Sequence, residues 1–505
     1  MTQLDCPKKG GCKKMRLLVK GFMEPSSWDG KTDSPTAMAS AIKQLVAMGI
    51  DDTDIRKVKA AIAEAVAEGK NVENVDGEDV ISIGDISTAF LFGKEYGPDD
   101  TKRYVSYRAY KGGPLRIFQL LGPLYGQRDA PYRWWSTFCE WMVDEGYEQS
   151  KNDPCLFYHP KTNLRVACHV DDCITRGSRL AAREFWEKVD HKFRVKTWSV
   201  LENGESRLYT GINISKVVRN GKEYYTMDQT DDIKSFLSDY DMLNTRVVSA
   251  PMPYKSEIVS DNTPLSKQEH ARYRAMVGSL TWYTNLRWDI AYEVNRLAQC
   301  LAAPTKGAMK ALTRVMGYLA STCDRQLQVC RMKGNTWHNY SDSDHAGDMC
   351  MGTARSQTGV LVTLNGMPVH WKSNKQPKTS LSSACAEIYA MSECARESRL
   401  VAWISEDMNC QVNWPLSIQV DNAAGESFQH STCASSKLKG VYNMRWKWVQ
   451  ELRDQKQFKT VHIETSRNLA DMLTKCLSAP VREGLFKELQ AVAEKIETQK
   501  AIPAQ

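Results

Sequence analysis

The sequence predicts a multidomain chain of mixed α+β and α/β character, and three observations carry that prediction. Its 505 residues exceed one ordinary domain and suit two to four. Strand-like and helix-like patterns alternate over roughly the first 230 residues and again after about residue 333, with a helical stretch between them near 266–322. The composition, 42% hydrophobic and 25% charged, belongs to a chain with cores to bury.

Residues 1–15 are basic and polar, and "MRLLVKGF" reads as a strand carrying Arg16 and Lys20. Residues 36–70 read as helix: Met38, Ile42, Leu45 and Val46 recur at helical spacing, and an Ala-rich run ends at Gly69. "VISIGDISTAFLFG" is a strand leading into a tighter segment, and "PYRWWSTFCEWMVDEG" an aromatic-rich helix closed by Gly146. Strands are expected on both sides of Asp171 and Asp172, followed by the helix "RLAAREFWEKVDHKF". In "TKGAMKALTRVMGYLAST", Met309, Leu312, Met316 and Leu319 mark one face of an amphipathic helix. A boundary is expected near "DRQLQVCRMKGN". Beyond it come a strand into "HNYSDSDHAG", a hairpin about the Asn365-Gly366 turn, a helix over 383–408, the strand "LSIQVDN", a basic aromatic helix, the strand "TVHIETS" and a final helix.

A net charge of +7 against 67 basic and 60 acidic side chains permits a polyanionic partner without requiring one. The 15 cysteines form no framework spacing and no CxxC pair, and no secretory signal precedes them. Reduced thiols are expected, and Cys168, His169 and Cys173 are read as a chance grouping rather than a zinc site. The longest uncharged run is broken by Asn365, Gly366 and Pro368, which excludes a membrane span there. Serine-hydrolase and P-loop readings lack their marks, since neither GxSxG nor GxxxxGK[ST] occurs.

"ACHVDDCIT" sets two carboxylates in a run that otherwise reads as buried strand. A straight strand would drive Asp171 or Asp172 inward, at a cost of several kcal/mol. A hairpin turn at the pair removes the conflict. Asp85 also follows an apolar strand, so three carboxylates are placed to converge where only cations offset their repulsion. Two Mg²⁺ ions about 4 Å apart are the recurring arrangement for phosphoryl chemistry. A second set follows: Asp342 at a strand end, Glu387 on the first long helix, Asp421 at another strand end, and Asp471 opening the last helix. The plain alternative for each is a solvated acid, and for Asp471 a favourable helix N-terminus.

The stretches "RLLVKGF", "DISTAFLFG", "LYGQRDAPYRWW", "NDPCLFY", "HVDD", "YTGINI", "YRAMVGSLTWYTNLRWDIAYEVNRLA", "YSDSDHAGD", "SQTGV", "WKSNKQPKTSLSSACAEIYAM", "VDN" and "LADMLTK" occur in one order from residue 16 to about 490. In that order the chain resembles the reverse transcriptase and RNase H portion of a copia-type LTR retrotransposon Pol polyprotein. The resemblance implies a right-hand polymerase with truncated fingers and a palm over 1–245, a helical thumb and connection over 246–332, an RNase H-like domain over 333–490 and a tail over 491–505. It implies Asp85, Asp171 and Asp172 as polymerase acids and Asp342, Glu387, Asp421 and Asp471 as ribonuclease H acids, with two Mg²⁺ at each set and Mn²⁺ as the alternative ion. Phe90 matches the steric gate, with a core phenylalanine as its plain alternative. Gln127, Ala130 and Pro131 match the segment facing template and nucleotide, and Arg16 and Lys20 the positions meeting the triphosphate. Implied partners are an RNA template, a DNA primer, dNTPs, the RNA/DNA hybrid and other element-encoded proteins, in the cytoplasm or nucleus, with no membrane.

Several positions depart from the family pattern. His169 stands where an aromatic residue is usual, Trp288 replaces the proline of "RPD", and histidines are absent around "SSKLKGVYNMRWKW". Fingers sequence upstream of "RLLVKGF" is missing, as are zinc-knuckle, protease and integrase motifs, so a fragment or processed product is expected. These departures keep a second reading open: a decayed element product that binds hybrid without polymerising and retains at most its hydrolytic site. In "VYNMRWKWVQELR", Tyr442, Trp446 and Val449 step as a core stripe. That spacing is preferred to a stacking platform built from Arg445, Lys447 and Trp448, and "PYRWWSTFCEWM" is read the same way.

Overall fold

A computed structural model describes residues 2–7, 13–19, 32–50, 52–68, 78–108, 110, 112–252, 261–347, 353–422 and 441–502. The chain divides into two compact units, the first comprising Met1–Met38, Asp52–Leu201 and Asp407–Asn409, the second Ala39–Asp51, Glu202–Glu406 and Cys410–Gln505. Both mix helices and strands, as the patterning requires.

The first unit is built on a six-stranded antiparallel sheet, in the order Val195–Val200, Asp79–Ile86, Asp172–Ser178, Arg165–His169, Leu156–Tyr158 and Glu148–Gln149. The helices Ala130–Asp144 and Arg179–Phe193 supply its aromatic core through Trp134, Phe138, Phe185, Trp186 and Phe193. Gly84 lets the second helix lie close: a Cβ there would meet the Trp186 ring at 2.6 Å. The Trp186 indole then donates to Ser82 at 2.8 Å, two residues before Gly84 and so on the same face of the strand.

The second unit holds two sheets. Ser206–Tyr209, Ile212–Arg219, Lys222–Asp228 and Leu327–Cys330 form an antiparallel four-stranded sheet. The boundary expected near "DRQLQVCRMKGN" is therefore occupied by a strand, paired with residues about a hundred positions earlier. Between these strands lie the helices Thr230–Asp239, Lys267–Tyr283, Ala291–Ala298 and Lys306–Ser321, sharing a core around Tyr273, Leu280, Leu312 and Met316. The five-stranded sheet runs Met367–Lys375, Gln357–Leu364, Trp337–Asp344, Leu416–Val420 and Phe458–His462; the first three are antiparallel and the last two join in parallel. The helices Ser383–Asp407, Val441–Asp454 and Ala479–Lys500 complete it. The hairpin turn is as read, with Asn365 and Gly366 both at positive φ, 53° and 83°. The helix Ala39–Ala47 also belongs to this unit. Its residues from Ala41 to Ala47 are all buried, and Lys43 donates to the Asn285 carbonyl at 2.9 Å while lying over the Trp371 ring.

A buried ion cluster ties the helices of this unit together. Arg287 grips Asp289 through two hydrogen bonds of 2.8 and 2.9 Å, and Tyr318 and Arg325 donate to the same carboxylate at 2.9 and 3.1 Å. Burial alone would raise the Asp289 pKa, but Arg287, Arg325 and Arg482 hold it well below the usual carboxylate range. Trp288, between the paired residues, is buried against Phe486 with ring centroids 5.8 Å apart, a repacking that suits the lost proline. Asp289→Asn leaves two buried cations, Arg287 and Arg482, and the half-buried Arg325 short of their partner and should cost about 3–5 kcal/mol in denaturant unfolding. A loss under about 1 kcal/mol, the range of an exposed pair, would contradict this account.

Candidate active sites

In the first unit, strand register does the positioning. Asp85 is the direct cross-strand partner of Asp172, and His169 pairs with Asp172 across a two-residue turn of Val170 and Asp171. The pair thus sits at a hairpin tip, both residues half-exposed, and the burial penalty anticipated for a straight strand does not arise. The turn carries strain instead: Val170 has φ 60°, a region that β-branched residues avoid. Two hydrogen bonds hold it there, from Ile86 N to the Asp171 carbonyl at 2.8 Å and from the Trp134 indole to the Val170 carbonyl at 2.7 Å. Asp85 accepts from Lys196 Nζ at 2.5 Å.

The other candidates of this unit lie on a 3-10 helix, a loop and a helix start between its strands. Phe90 lies on the short 3-10 helix Ala89–Phe92, half-buried against the core and 5.2 Å from the Tyr125 ring. Gln127 is buried, accepting from Leu124 N at 2.6 Å and the Tyr96 hydroxyl at 3.1 Å. Ala130 and Pro131 open the helix Ala130–Asp144, Ala130 fully buried. Gly126 abuts Val19, whose N donates to the Tyr125 carbonyl at 2.8 Å, so the end of the strand Lys13–Leu18 reaches this segment. The Arg16 side chain and Lys20 lie outside the described residues.

In the second unit, the acids come from four elements. Asp342 is on the central strand Trp337–Asp344, Asp421 follows the strand Leu416–Val420, and Glu387 is one turn into the helix Ser383–Asp407. Asp471 does not open the last helix as expected; it lies on a separate 3-10 turn, Leu469–Leu473, ahead of Ala479–Lys500. Two features seat that turn. Asn468, fully buried, accepts from Ala470 N at 3.2 Å and donates to the Ser341 carbonyl at 3.1 Å. Gly359, the cross-strand partner of Asp342, has no side chain to hold the turn away; a Cβ there would lie 2.7 Å from both the Ala470 carbonyl oxygen and Thr474 Cγ2.

Among the described residues, Asp342, Asp421 and Asp471 are the one set of three or more His, Cys, Asp or Glu whose ligand atoms lie within 4.8 Å of one another. Asp85, Asp171 and Asp172 do not reach that closeness. Burial, with Asp342 next, pushes the Glu387 carboxyl up to about 8, and the same two causes push Asp471 up to about 8. The Thr474 hydroxyl donates to Asp342, and Lys475 Nζ lies 3.1 Å from Asp471 Oδ1 and 3.5 Å from Asp342 Oδ2. Three hard oxygen ligands from separate elements, crowded and partly buried, suit a divalent cation such as Mg²⁺ or Mn²⁺.

The reading of the basic aromatic helix as a core stripe agrees with the structure: Trp446 and Val449 are buried. Arg445 is committed to Ser392 and Glu393 at 2.6 and 3.0 Å, over the Tyr389 ring. Tyr442's side chain lies outside the described residues. Lys196, Trp134, Gly359, Thr474 and Lys475 were not singled out from the sequence. Only Lys475 carried a usable signal, four residues after Asp471 in "ADMLTK".

The family model described as Reverse transcriptase (RNA-dependent DNA polymerase) matches residues 54–254. The Pol polyprotein from transposon RE2 of Arabidopsis thaliana is 26% identical over 493 residues, covering 95% of this chain and 30% of the relative. That from transposon TNT 1-94 of Nicotiana tabacum is 24% identical over 504 residues, covering 95% and 34%. An uncharacterized mitochondrial protein of Arabidopsis thaliana is 30% identical over 201 residues, 40% of this chain and 80% of that protein. The chain thus spans about a third of the length of the Pol polyproteins it matches. Among solved structures, LC11-RNase H1 in complex with RNA/DNA hybrid aligns with 28% of this chain and 94% of its own at 15% identity and a TM-score of 0.22. The foamy viral protease-reverse transcriptase in complex with double-stranded DNA aligns with 87% and 76% at 10% identity and a TM-score of 0.20.

Two measurements check the geometry of the four-acid site. Gly359→Ala should push the Asp471 turn off the central strand and weaken divalent binding by at least about tenfold, a loss of the order seen when groups supporting metal ligands are removed. Unchanged affinity in calorimetry would show that the turn is not seated there. With divalent ions chelated, thermal stability should fall as pH rises from about 5 to about 9. Glu387 and Asp471 have raised native pKa values, so over that window the folded state binds more protons than the unfolded. Adding Mg²⁺ should flatten the decline; a melting temperature that climbs across the window would contradict the assignment.

Proposed function

Because the chain belongs to the copia-type reverse transcriptase family of Pol polyproteins, we propose that it is an RNA-directed DNA polymerase with an associated ribonuclease H activity. Asp85, Asp171 and Asp172 serve primer extension with dNTPs along an RNA template. Asp342, Glu387, Asp421 and Asp471 serve hydrolysis of RNA in the resulting hybrid. The observation that carries the reading is the convergence of Asp342, Asp421 and Asp471 within 4.8 Å, in a chain whose other acid pair sits at a hairpin tip in register with Asp85.

A bound divalent cation at either set supplies charge neutralisation to the reacting phosphoryl group. The chain's own residues do the placing. Trp134 and Ile86 fix the strained turn so that Asp171 and Asp172 project from a rigid strand pair rather than a mobile loop. Lys196 balances the charge of Asp85. In this reading Phe90, packed on Tyr125, is the ring that excludes a ribose 2′-OH. In the second unit, Asn468 and Thr474 orient the Asp471 turn and Asp342 toward a common point. The palm, thumb and RNase H-like domain names follow this reading.

The test is a purified-chain assay on a primed RNA template with dNTPs and Mg²⁺, scoring extension and template loss separately. Asp171→Asn should reduce extension by at least about 100-fold while hybrid cleavage continues, and Glu387→Gln should do the reverse. Hydrolysis without extension in the parent chain would favour the hybrid-binding reading with only the second site alive. Indifference of both reactions to both changes would overturn the assignment.

A further inference from the structure

We propose that Lys475 is a resident counter-cation of the four-acid site, holding Asp342 and Asp471 in place before a divalent ion arrives and opposing that ion's entry. The inference rests on this site being the divalent site of the proposed hydrolytic reaction.

The geometry is specific. Lys475 Nζ is 3.1 Å from Asp471 Oδ1 and 3.5 Å from Asp342 Oδ2, bridging two elements that otherwise meet like charge to like charge. Both distances are within ion-pair reach, so one ammonium charge acts against the repulsion between Asp342 and Asp471. The neighbouring Thr474 hydroxyl donates to Asp342, and the four-residue spacing puts the ammonium beside Asp471, so both groups hang from the Asp471 turn. Burial works against the charged ammonium, and Asp342 and Asp471 more than overcome it, raising the Lys475 pKa above its ordinary value. The side chain is one-third exposed. Its four-carbon stem can therefore swing the charge into solvent when a divalent ion takes its place.

Two consequences follow, and a purely structural lysine would share only the first. Without divalent ions, Lys475→Met should lower the melting temperature of the full chain by about 2–4 °C or more, because the acids lose their counter-charge. The same variant should bind Mn²⁺ about tenfold more tightly or better, because one positive charge has left the ion's surroundings. Lys475→Arg keeps the charge and should stay near the parent on both measures.

The experiment is Mn²⁺ titration calorimetry on the full chain, with Asp421→Asn identifying the heat that belongs to this site, and melting in chelator alongside. Tighter Mn²⁺ binding together with a lower metal-free melting temperature in Lys475→Met, and neither in Lys475→Arg, supports the proposal. Parent-like affinity and melting in Lys475→Met overturn it, even while the parent binds Mn²⁺ at a site that Asp421→Asn removes. Should Lys475→Met fail to fold with or without Mn²⁺, Lys475→Arg decides: parent-like behaviour supports the proposal and tighter binding overturns it. Absence of any Mn²⁺ binding sensitive to Asp421→Asn would instead remove the divalent site itself.

Discussion

Ionised carboxylates gathered within 4.8 Å of one another repel by at least about 3 kcal/mol per pair at an effective dielectric near 20, and the second unit is organised around that repulsion. Asp342 is fixed by the central strand, Asp421 by a parallel neighbour and Glu387 by a long helix, none of which can retreat without breaking its own hydrogen bonds. Asp471 is the adjustable member. It arrives on a short turn held by Asn468 and admitted by the missing side chain of Gly359, and the same turn brings Thr474 and Lys475 to the opposing carboxylate. Crowding of this kind persists in a folded protein only where counter-charge is supplied, from within the chain, from bound cations, or by protonation.

The first unit meets a related difficulty with exposure as well as counter-charge. Asp171 and Asp172 stand at a hairpin tip where water solvates them, and the strain shifts to the Val170 backbone, held by Trp134 and Ile86. Asp85 is brought opposite by strand register, and Lys196 supplies its counter-charge. The two acid sets therefore differ in kind: one open and strained, the other closed and crowded.

Local features were legible because they depend on neighbours in sequence. The Asn365-Gly366 hairpin, the helix Lys306–Ser321, the turn at Asp171 and the buried stripe of Trp446 and Val449 each follow from turn chemistry or periodicity. The acids themselves stood out because each follows or interrupts apolar sequence. What stayed hidden was long-range. Nothing local shows that Leu327–Cys330 pairs with Lys222–Asp228, or that the helix Ala39–Ala47 is buried in the second unit through Lys43 and its all-buried face. Asp471 was misplaced onto the final helix because "NLADMLTK" has helical composition, whereas its turn is set by Asn468 bonding to a strand far away. Gly359 against the Asp471 turn, and Lys475 against Asp342, act across more than a hundred positions, which periodicity does not encode.

The central claim, that the crowded carboxylates of the second unit form a divalent-cation site, is tested most directly by anomalous diffraction from crystals of the full chain grown with Mn²⁺. The expected result is an anomalous peak about 2.1 Å from oxygens of Asp342 and of at least one of Asp421 and Asp471, with the Lys475 ammonium turned away. Peaks confined to other surfaces, with Lys475 still seated between Asp342 and Asp471 at saturating Mn²⁺, would contradict it.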